Sequence, residues 1–203
     1  MSCATLVLAA GASRRFGAEP KQAQPWRGRA MLTHMAERAA EVTPGQVFVV
    51  LGADAVRLAP LVPAGCNIVV NDAWAEGLGA SIARGVGALP AETTAVVIVL
   101  GDQLGVTREC LTGLVRTGNA HSGAGSPVAV CAAYQNTRGV PAYFPRCYFP
   151  ALAGLAGSSG AKALLMGAEV ATVSMPQAAI DIDTPADFIA FENRERASAK
   201  AID

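Results

Sequence analysis

The chain has 203 residues, enough for one domain with a sizeable core, and no compositional break divides it. Sixteen basic and sixteen acidic residues give a formal net charge of zero, which argues against non-specific binding of nucleic acid or anionic membranes. Five cysteines, widely spaced and without a C-x-x-C pair, predict reduced thiols rather than disulfides or a zinc site.

The first expected element is a short apolar strand over about residues 4–9, which breaks at Gly11, too early for a signal peptide. It runs into Ala10-Gly11-Ala12-Ser13-Arg14-Arg15-Phe16-Gly17, with Lys21 four residues on. Small residues let backbone N–H groups approach phosphate oxygens, and the cations neutralise their charge, so this loop suits a polyphosphate. It is not a Walker loop, because Ala18 follows Gly17, and Ala9 and Ala10 do not supply the first glycines of a dinucleotide fingerprint. Arg14, Arg15, Lys21, Arg27 and Arg29 concentrate positive charge here; the alternative is a solvated surface face.

Further along, helices are expected over about 30–42, 54–61, 79–89 and 107–117, alternating with strands over about 46–52, 67–71 and 95–101. In Met31-Leu32, Met35-Ala36 and Ala39-Ala40 the apolar residues recur at three- and four-residue steps, the mark of a helix face packed on a sheet. The run Ala95–Leu100 is strand-sized, far short of a membrane span. Gly118–Pro127, rich in glycine and serine, reads as a mobile loop. Val128–Ala133 and Val140–Phe144 then read as antiparallel strands. Helices follow at Phe149–Gly157 and Ala161–Met166, a strand at Glu169–Ser174 and a closing helix at Pro185–Arg196 with proline at its first position. This alternation predicts an α/β fold: a mostly parallel sheet with an antiparallel element and helices on both faces.

In such a sheet ligands bind outside the carboxyl ends of the strands. The loop after strand one, Gly52-Ala53-Asp54, Asn71 and Gly101-Asp102 all fall on that edge. Asp102 ends an aliphatic strand, where a carboxylate is poorly solvated unless it meets a cation, and magnesium fits. The alternative is a helix cap, but Thr107, with Glu109 in the first turn, is the better N-cap. Asp181 and Asp183 are two apart in an extended segment, so only one can face the site. Two scattered histidines, His34 and His121, offer no general-base or metal cluster.

The N-terminal stretch resembles the signature of the MobA-like nucleotidyltransferases, approximately L-A-[AG]-G-x-S-x-R-[MF]-G-x(2,3)-K. Pro25-Trp26-Arg27-Gly28 resembles the family's P-W-x-G segment, and Asn71, Trp74, Gly77 and Ser81 resemble its N-x-x-W-x-x-G-[LM]-x-x-S block. Leu100-Gly101-Asp102-Gln103, Gly139-x-Pro141, Gly157-x-x-Gly160-Ala161 and Asp181-Ile182-Asp183-Thr184-Pro185 follow in the family's order. Ala10 resembles the L-A-A-G form of the molybdenum cofactor cytidylyltransferase branch.

The resemblance implies one domain over residues 1–203, a three-layer, Rossmann-like fold of the nucleotide-diphospho-sugar-transferase type. It implies a nucleotide site made by Leu8, Ala9, Ala10, Gly11, Ser13, Arg15, Lys21, Asn71, Ser81 and Gly101, with Arg15, Lys21 and Asp102 as catalytic residues. Arg14 falls on the family's variable position, and Ser81 could equally be a small packing residue. Asp102 and Asp183 are the implied ligands of Mg2+, or Mn2+. Asp183 could instead contact the acceptor with Gly139 and Pro141, or cap the last helix. Three departures stand out: Leu104 where proline follows the metal motif, Ala30 for proline, and Ser158 for aspartate in the G-D-x-G-A motif.

The function implied is transfer of CMP from CTP to the phosphate of molybdopterin, with release of pyrophosphate, in a soluble, cytoplasmic protein whose product serves a molybdenum hydroxylase client. Rivals are a transferase using GTP or a sugar or polyol phosphate, a reductase of a nicotine-derived pigment, and a non-catalytic protein that delivers the cofactor.

Overall fold

Period-two burial along the strands builds the molecule. The computed structural model describes residues 2–167, 169–180 and 182–200. In β1 (Cys3–Ala9), Val7 and Ala9 face one way, while Ala4, Leu6 and Leu8 face the other, and all are buried. Both faces of this strand are therefore covered, as a central parallel strand requires.

After β1, two short strands, β2 (Pro25–Trp26) and β3 (Arg29–Ala30), pair antiparallel and lead into α1 (Met31–Val42). The chain continues through β4 (Val47–Leu51), α2 (Ala55–Leu58), β5 (Asn67–Val70), α3 (Leu78–Gly87) and β6 (Ala95–Leu100). It then forms α4 (Arg108–Gly123), β7 (Val130–Tyr134), β8 (Thr137–Pro145), α5 (Phe149–Ala153), β9 (Ala171–Ser174) and α6 (Pro185–Lys200). The seven-stranded sheet has the order β5-β4-β1-β6-β8-β7-β9. Only β8 runs against its neighbours, so the antiparallel element is one strand inserted between β6 and β7.

Helices α1, α2 and α4 supply Leu32, Met35, Leu58, Leu111 and Leu114 to one core layer, and α3 and α5 supply Ile82, Val86 and Leu152 to the other. A third cluster, Phe16, Trp26, Met31, Leu104, Ile182 and Phe191, fastens α6 and the loop after β1 to the small hairpin. Cys3, Cys66, Cys110, Cys131 and Cys147 stand as free thiols, and burial pushes the Cys3 thiol up to about 12.

Four expectations need correction. Residues 118–123 are helix: α4 runs on to Gly123, and only the remainder of the expected Gly118–Pro127 loop lies outside it. A Cβ on Gly118 would lie 2.3 Å from the Tyr143 ring, so this glycine lets α4 touch β8 rather than breaking the helix. The helix expected over 149–157 stops at Ala153, before Gly154. The one expected over 161–166 is a 3-10 segment, Ala161–Leu165. The short helix after β4 covers only Ala55–Leu58 and tightens into a 3-10 turn, where Pro60 sits at its start.

Candidate functional site

The strand order places a crevice. The chain leaves β1 toward β4 and β5, then returns to lay β6 on the other side of β1, so the connections after β1 and β6 diverge. At that switch point the backbone is tightly drawn. Gly101 N–H donates to the Leu8 carbonyl at 2.9 Å, and Ala53 N–H donates to that of Ala10 at 3.1 Å. A Cβ on Gly52 would come within 2.5 Å of the Ala10 oxygen and 2.9 Å of the Ala10 methyl, so Ala10 turns its side chain toward Gly52.

The loop that follows β1 is shaped by two positive φ angles, +48° at Ser13 and +113° at Gly17. Phe16 N–H closes a turn onto the Ser13 carbonyl at 2.8 Å, and the Phe16 ring is buried in the third cluster. Burying that ring contributes roughly 1.5–3 kcal/mol to holding the loop against the domain. From outside, Arg57 donates to the Ala18 carbonyl at 3.1 Å and pairs with Glu19. Arg14 and Arg15 are left exposed.

The loop, β6 and the segment before α6 meet at one nitrogen. Lys21 Nζ lies 2.5 Å from Asp102 Oδ2 and 2.8 Å from Asp183 Oδ1, and Arg15 donates to Asp183 Oδ2 at 2.5 Å. Burial works against the Lys21 ammonium, but Asp102 and Asp183 outweigh it and hold its pKa above the ordinary lysine value. Burial likewise disfavours the Asp183 carboxylate, and Lys21 and then Arg15 reverse this, so its pKa lies below the usual range.

Asp183 is available for this because another pair caps α6. Asp187 Oδ2 accepts from the Thr184 backbone at 2.8 Å and hydroxyl at 2.7 Å, and Asp187 N–H donates back to Thr184 Oγ1 at 3.3 Å. This reciprocal arrangement is a capping box. Asp102 is likewise no cap: Thr107 Oγ1 accepts from Cys110 N–H at the start of α4, as expected. Asp181 lies outside the described residues.

A cleft of about 220 Å³ opens beside this cluster, lined by Leu8, Ala9, Ala10, Gly11, Lys21, Ser81 and Asp102 among the expected residues, and by Gln22, Trp74, Gly77, Leu78 and Leu100 besides. A second pocket of about 200 Å³ adjoins it under the loop and holds Ser13, Arg14, Arg15 and Asp183 with Gly11, Lys21 and Gln22. Asn71 is not at the surface of the cleft. It is buried behind Ser81, donating to Ser81 Oγ at 3.1 Å and accepting from Ala73 N–H at 3.1 Å. Gly101 is buried too, where a side chain would press on Ala9 and Leu32.

Gly139 and Pro141 do not line the cleft. Gly139 sits on β8 beneath the Tyr134 hydroxyl, which a Cβ there would approach to 2.5 Å, and Pro141 is buried after a cis peptide bond. Gln103 links them to the site: its Oε1 accepts from Leu100 N–H at 3.1 Å and its Nε2 donates to the Val140 carbonyl at 3.0 Å. His34 is structural, its Nε2–H donating to the Trp26 carbonyl at 2.6 Å, and burial lowers its pKa.

The departures also have physical readings. Leu104 is buried in the third cluster, and Arg38 donates to the Leu104 and Val106 carbonyls at 2.7 and 2.8 Å, so this guanidinium stiffens the turn after Asp102. Ala30 is buried at the N-cap of α1. Ser158 is exposed beside Gly157, whose carbonyl accepts from Gly79 N–H at 3.0 Å. Gln22 and Arg38 carried no motif signal in the sequence. The capping box did, as a threonine three residues before an acid.

Among the described residues no three His, Cys, Asp or Glu side chains gather as a metal cage. The two carboxylates that converge on Lys21 Nζ already hold one cation between hard oxygen donors. This suits a divalent ion that takes few protein carboxylates and fills its shell with phosphate oxygens and water.

The MobA-like NTP transferase domain family matches residues 5–173. Among solved structures, Rv0371c from Mycobacterium tuberculosis H37Rv superposes with a TM-score of 0.79 at 26% identity, covering 94% of this chain and 97% of that one. Its complex with manganese gives 0.76 at 25% identity, with the same coverage of both chains. Nicotine blue oxidoreductase of Paenarthrobacter nicotinovorans is 36% identical over 111 residues, 53% of each protein. Bifunctional protein GlmU of Mycobacterium marinum is 35% identical over 130 residues, 60% of this chain and 26% of that one. The match thus spans about half of one curated relative and a quarter of the other. No helix among the described residues is long and apolar enough to cross a membrane.

Proposed function

Because the chain belongs to the MobA-like NTP transferase family, we propose that it transfers the cytidylyl group of CTP to the terminal phosphate of molybdopterin. The observation that carries this is the junction of Lys21 with Asp102 and Asp183, at the mouth of a cleft set on the β1/β6 switch point. A phosphate oxygen of the acceptor attacks the α-phosphorus, the bond to the α–β bridging oxygen breaks, and pyrophosphate leaves with the electron pair. The acceptor phosphate is already ionised at neutral pH, so no strong general base is needed, in keeping with a cleft that no histidine lines.

The loop after β1 cradles the triphosphate through backbone N–H groups, Gly11 allowing close approach. Arg15 and Lys21 neutralise charge that builds on the departing pyrophosphate. Asp102 and Asp183 hold Mg2+, or Mn2+, and the manganese complex of Rv0371c supports a divalent ion. That ion supplies charge neutralisation and alignment of the phosphate oxygens. Asn71 fixes the Ser81 hydroxyl at the cleft wall against the nucleotide's base or sugar. Gly139 and Pro141 stand behind the cleft in a supporting role, where Gln103 holds the Val140 carbonyl between them to Leu100 at the end of β6. The product would pass to a molybdenum hydroxylase in the cytoplasm.

The test is pyrophosphate release from each of the four ribonucleoside triphosphates, with and without molybdopterin. CTP is expected to exceed GTP at least tenfold in kcat/KM, a difference of about the size that one methylene in a pocket produces. Equal use, or a preference for GTP, rejects cytidylyl transfer. Likeness to GlmU and to nicotine blue oxidoreductase favours two further arms, sugar phosphates as acceptors and a reductase assay. Activity in either of these arms with none on molybdopterin would replace this reading.

A further inference from the structure

The Ser13–Gln22 contact has a fixed polarity. An amide oxygen only accepts, so the 2.9 Å contact to Gln22 Oε1 makes Ser13 Oγ the donor. The serine hydrogen is thereby used inside the protein, in a residue already held at φ +48°. The Gln22 amide nitrogen is in the opposite situation. Gln22 is 4% exposed and borders both the loop pocket and the cleft. Among the described residues its hydrogen bonding is the Ser13 contact to Oε1, which leaves two N–H donors without a protein acceptor. The nitrogen is not sealed from solvent, so an acceptor that enters the cleft can take its hydrogen bonds. The backbone beneath is fixed, with Ala23 N–H on the Pro20 carbonyl at 3.0 Å and Gln24 N–H on that of Lys21 at 3.1 Å. With Arg15 and Lys21 beside it, the acceptor that fits is an anionic oxygen.

We infer that Gln22, rather than Ser13, is the uncharged side-chain donor this loop offers, beside Arg15 and Lys21, to the phosphate chain of a nucleoside triphosphate. Ser13 is a positioning residue that locks the amide with its nitrogen toward the cleft. The inference rests on the nucleotidyltransferase reading above.

Calorimetric titration with CTP–Mg2+ and with inorganic tripolyphosphate–Mg2+ tests it. Gln22→Met is expected to weaken both ligands at least tenfold and by similar factors, as loss of a hydrogen bond to a charged group does. Gln22→Glu keeps the volume and an acceptor for Ser13 but sets a carboxylate against the phosphates. It should fold and bind more weakly still, and it decides the matter if Gln22→Met does not fold. Ser13→Ala should lose less than Gln22→Met, while broadening the Gln22 side-chain amide resonances in 15N-labelled protein. Wild-type affinity in either Gln22 variant, an equal or larger loss in Ser13→Ala, or a loss for CTP alone overturns the inference. A parent protein that binds neither ligand overturns the nucleotidyltransferase reading as well.

Discussion

Lys21 and Asp183 lie 162 residues apart in the chain, yet the ammonium donates to Oδ1 at 2.8 Å. The contact ties the loop after β1 to the segment before α6, and Asp102 joins it from the end of β6. Three distant parts of the sequence share one cation, so the chemistry of the site and the closure of the fold are the same interaction.

Lys21→Met should therefore show two effects. Turnover falls at least a hundredfold, because charge growing on pyrophosphate in the transition state loses its counter-ion. Asp102, with its side chain 11% exposed, is left without its ion-pair partner, so the melting temperature falls as well. Added Mn2+ should restore part of the thermal stability but not turnover, and should bind the variant more tightly than the parent in the absence of nucleotide. Unchanged turnover in a folded variant, measured by pyrophosphate release, rejects the assignment.

Asp102→Asn should abolish metal-supported nucleotide binding while Lys21 keeps Asp183 as its partner. Calorimetry with CTP–Mg2+ is the measurement. A dissociation constant equal to the parent's would remove Asp102 from the metal site.

The pH dependence has a definite sign. Asp183 has a pKa below its unfolded value of about 3.9, so its contribution is complete above that value and disappears as pH falls through the folded pKa. Lys21 has a raised pKa, so its contribution is complete below about 10.4 and disappears as pH rises through the folded pKa. The stability difference between the parent and Asp183→Asn should thus be flat near neutrality and shrink on acidification below about pH 4. Urea denaturation at pH 7, 5 and 3 measures it, and a difference that grows toward low pH contradicts the pairing.

Arg38→Ala removes the donor to the Leu104 and Val106 carbonyls and a guanidinium lying 5.5 Å from the Trp26 ring centroid. A loss of roughly 2–4 kcal/mol is expected from leaving two carbonyls without a charged donor. Because those carbonyls belong to the turn after Asp102, kcat should fall more than KM rises. A denaturation midpoint within error of the parent's would show that the turn holds itself.

The parallel half of the fold was legible because buried strands are unbroken apolar runs rich in β-branched residues, as in Val47–Leu51 and Ala95–Leu100. The end of α4 was not, because a glycine that admits Tyr143 reads locally like one that stops a helix. In the site, the loop, Lys21 and the two aspartates were visible as residue types at strand ends. Their convergence on one nitrogen was not, since it depends on α6 folding back through Ile182 and Phe191 onto the small hairpin. Gln22 acts through a contact to Ser13 and Arg38 through the Leu104 and Val106 carbonyls, and such contacts leave no spacing pattern in a sequence.

The placement of β8 has a consequence for synthesis on the ribosome. Until residues 137–145 have been made, β6 has no partner on its outer side, and its apolar edge is open to any other strand. At roughly 5–20 residues per second that interval lasts a few seconds in every round of translation. The nascent chain is most open to misassembly then, and slowing elongation between β6 and β8 should lower the yield of soluble protein without altering the finished molecule.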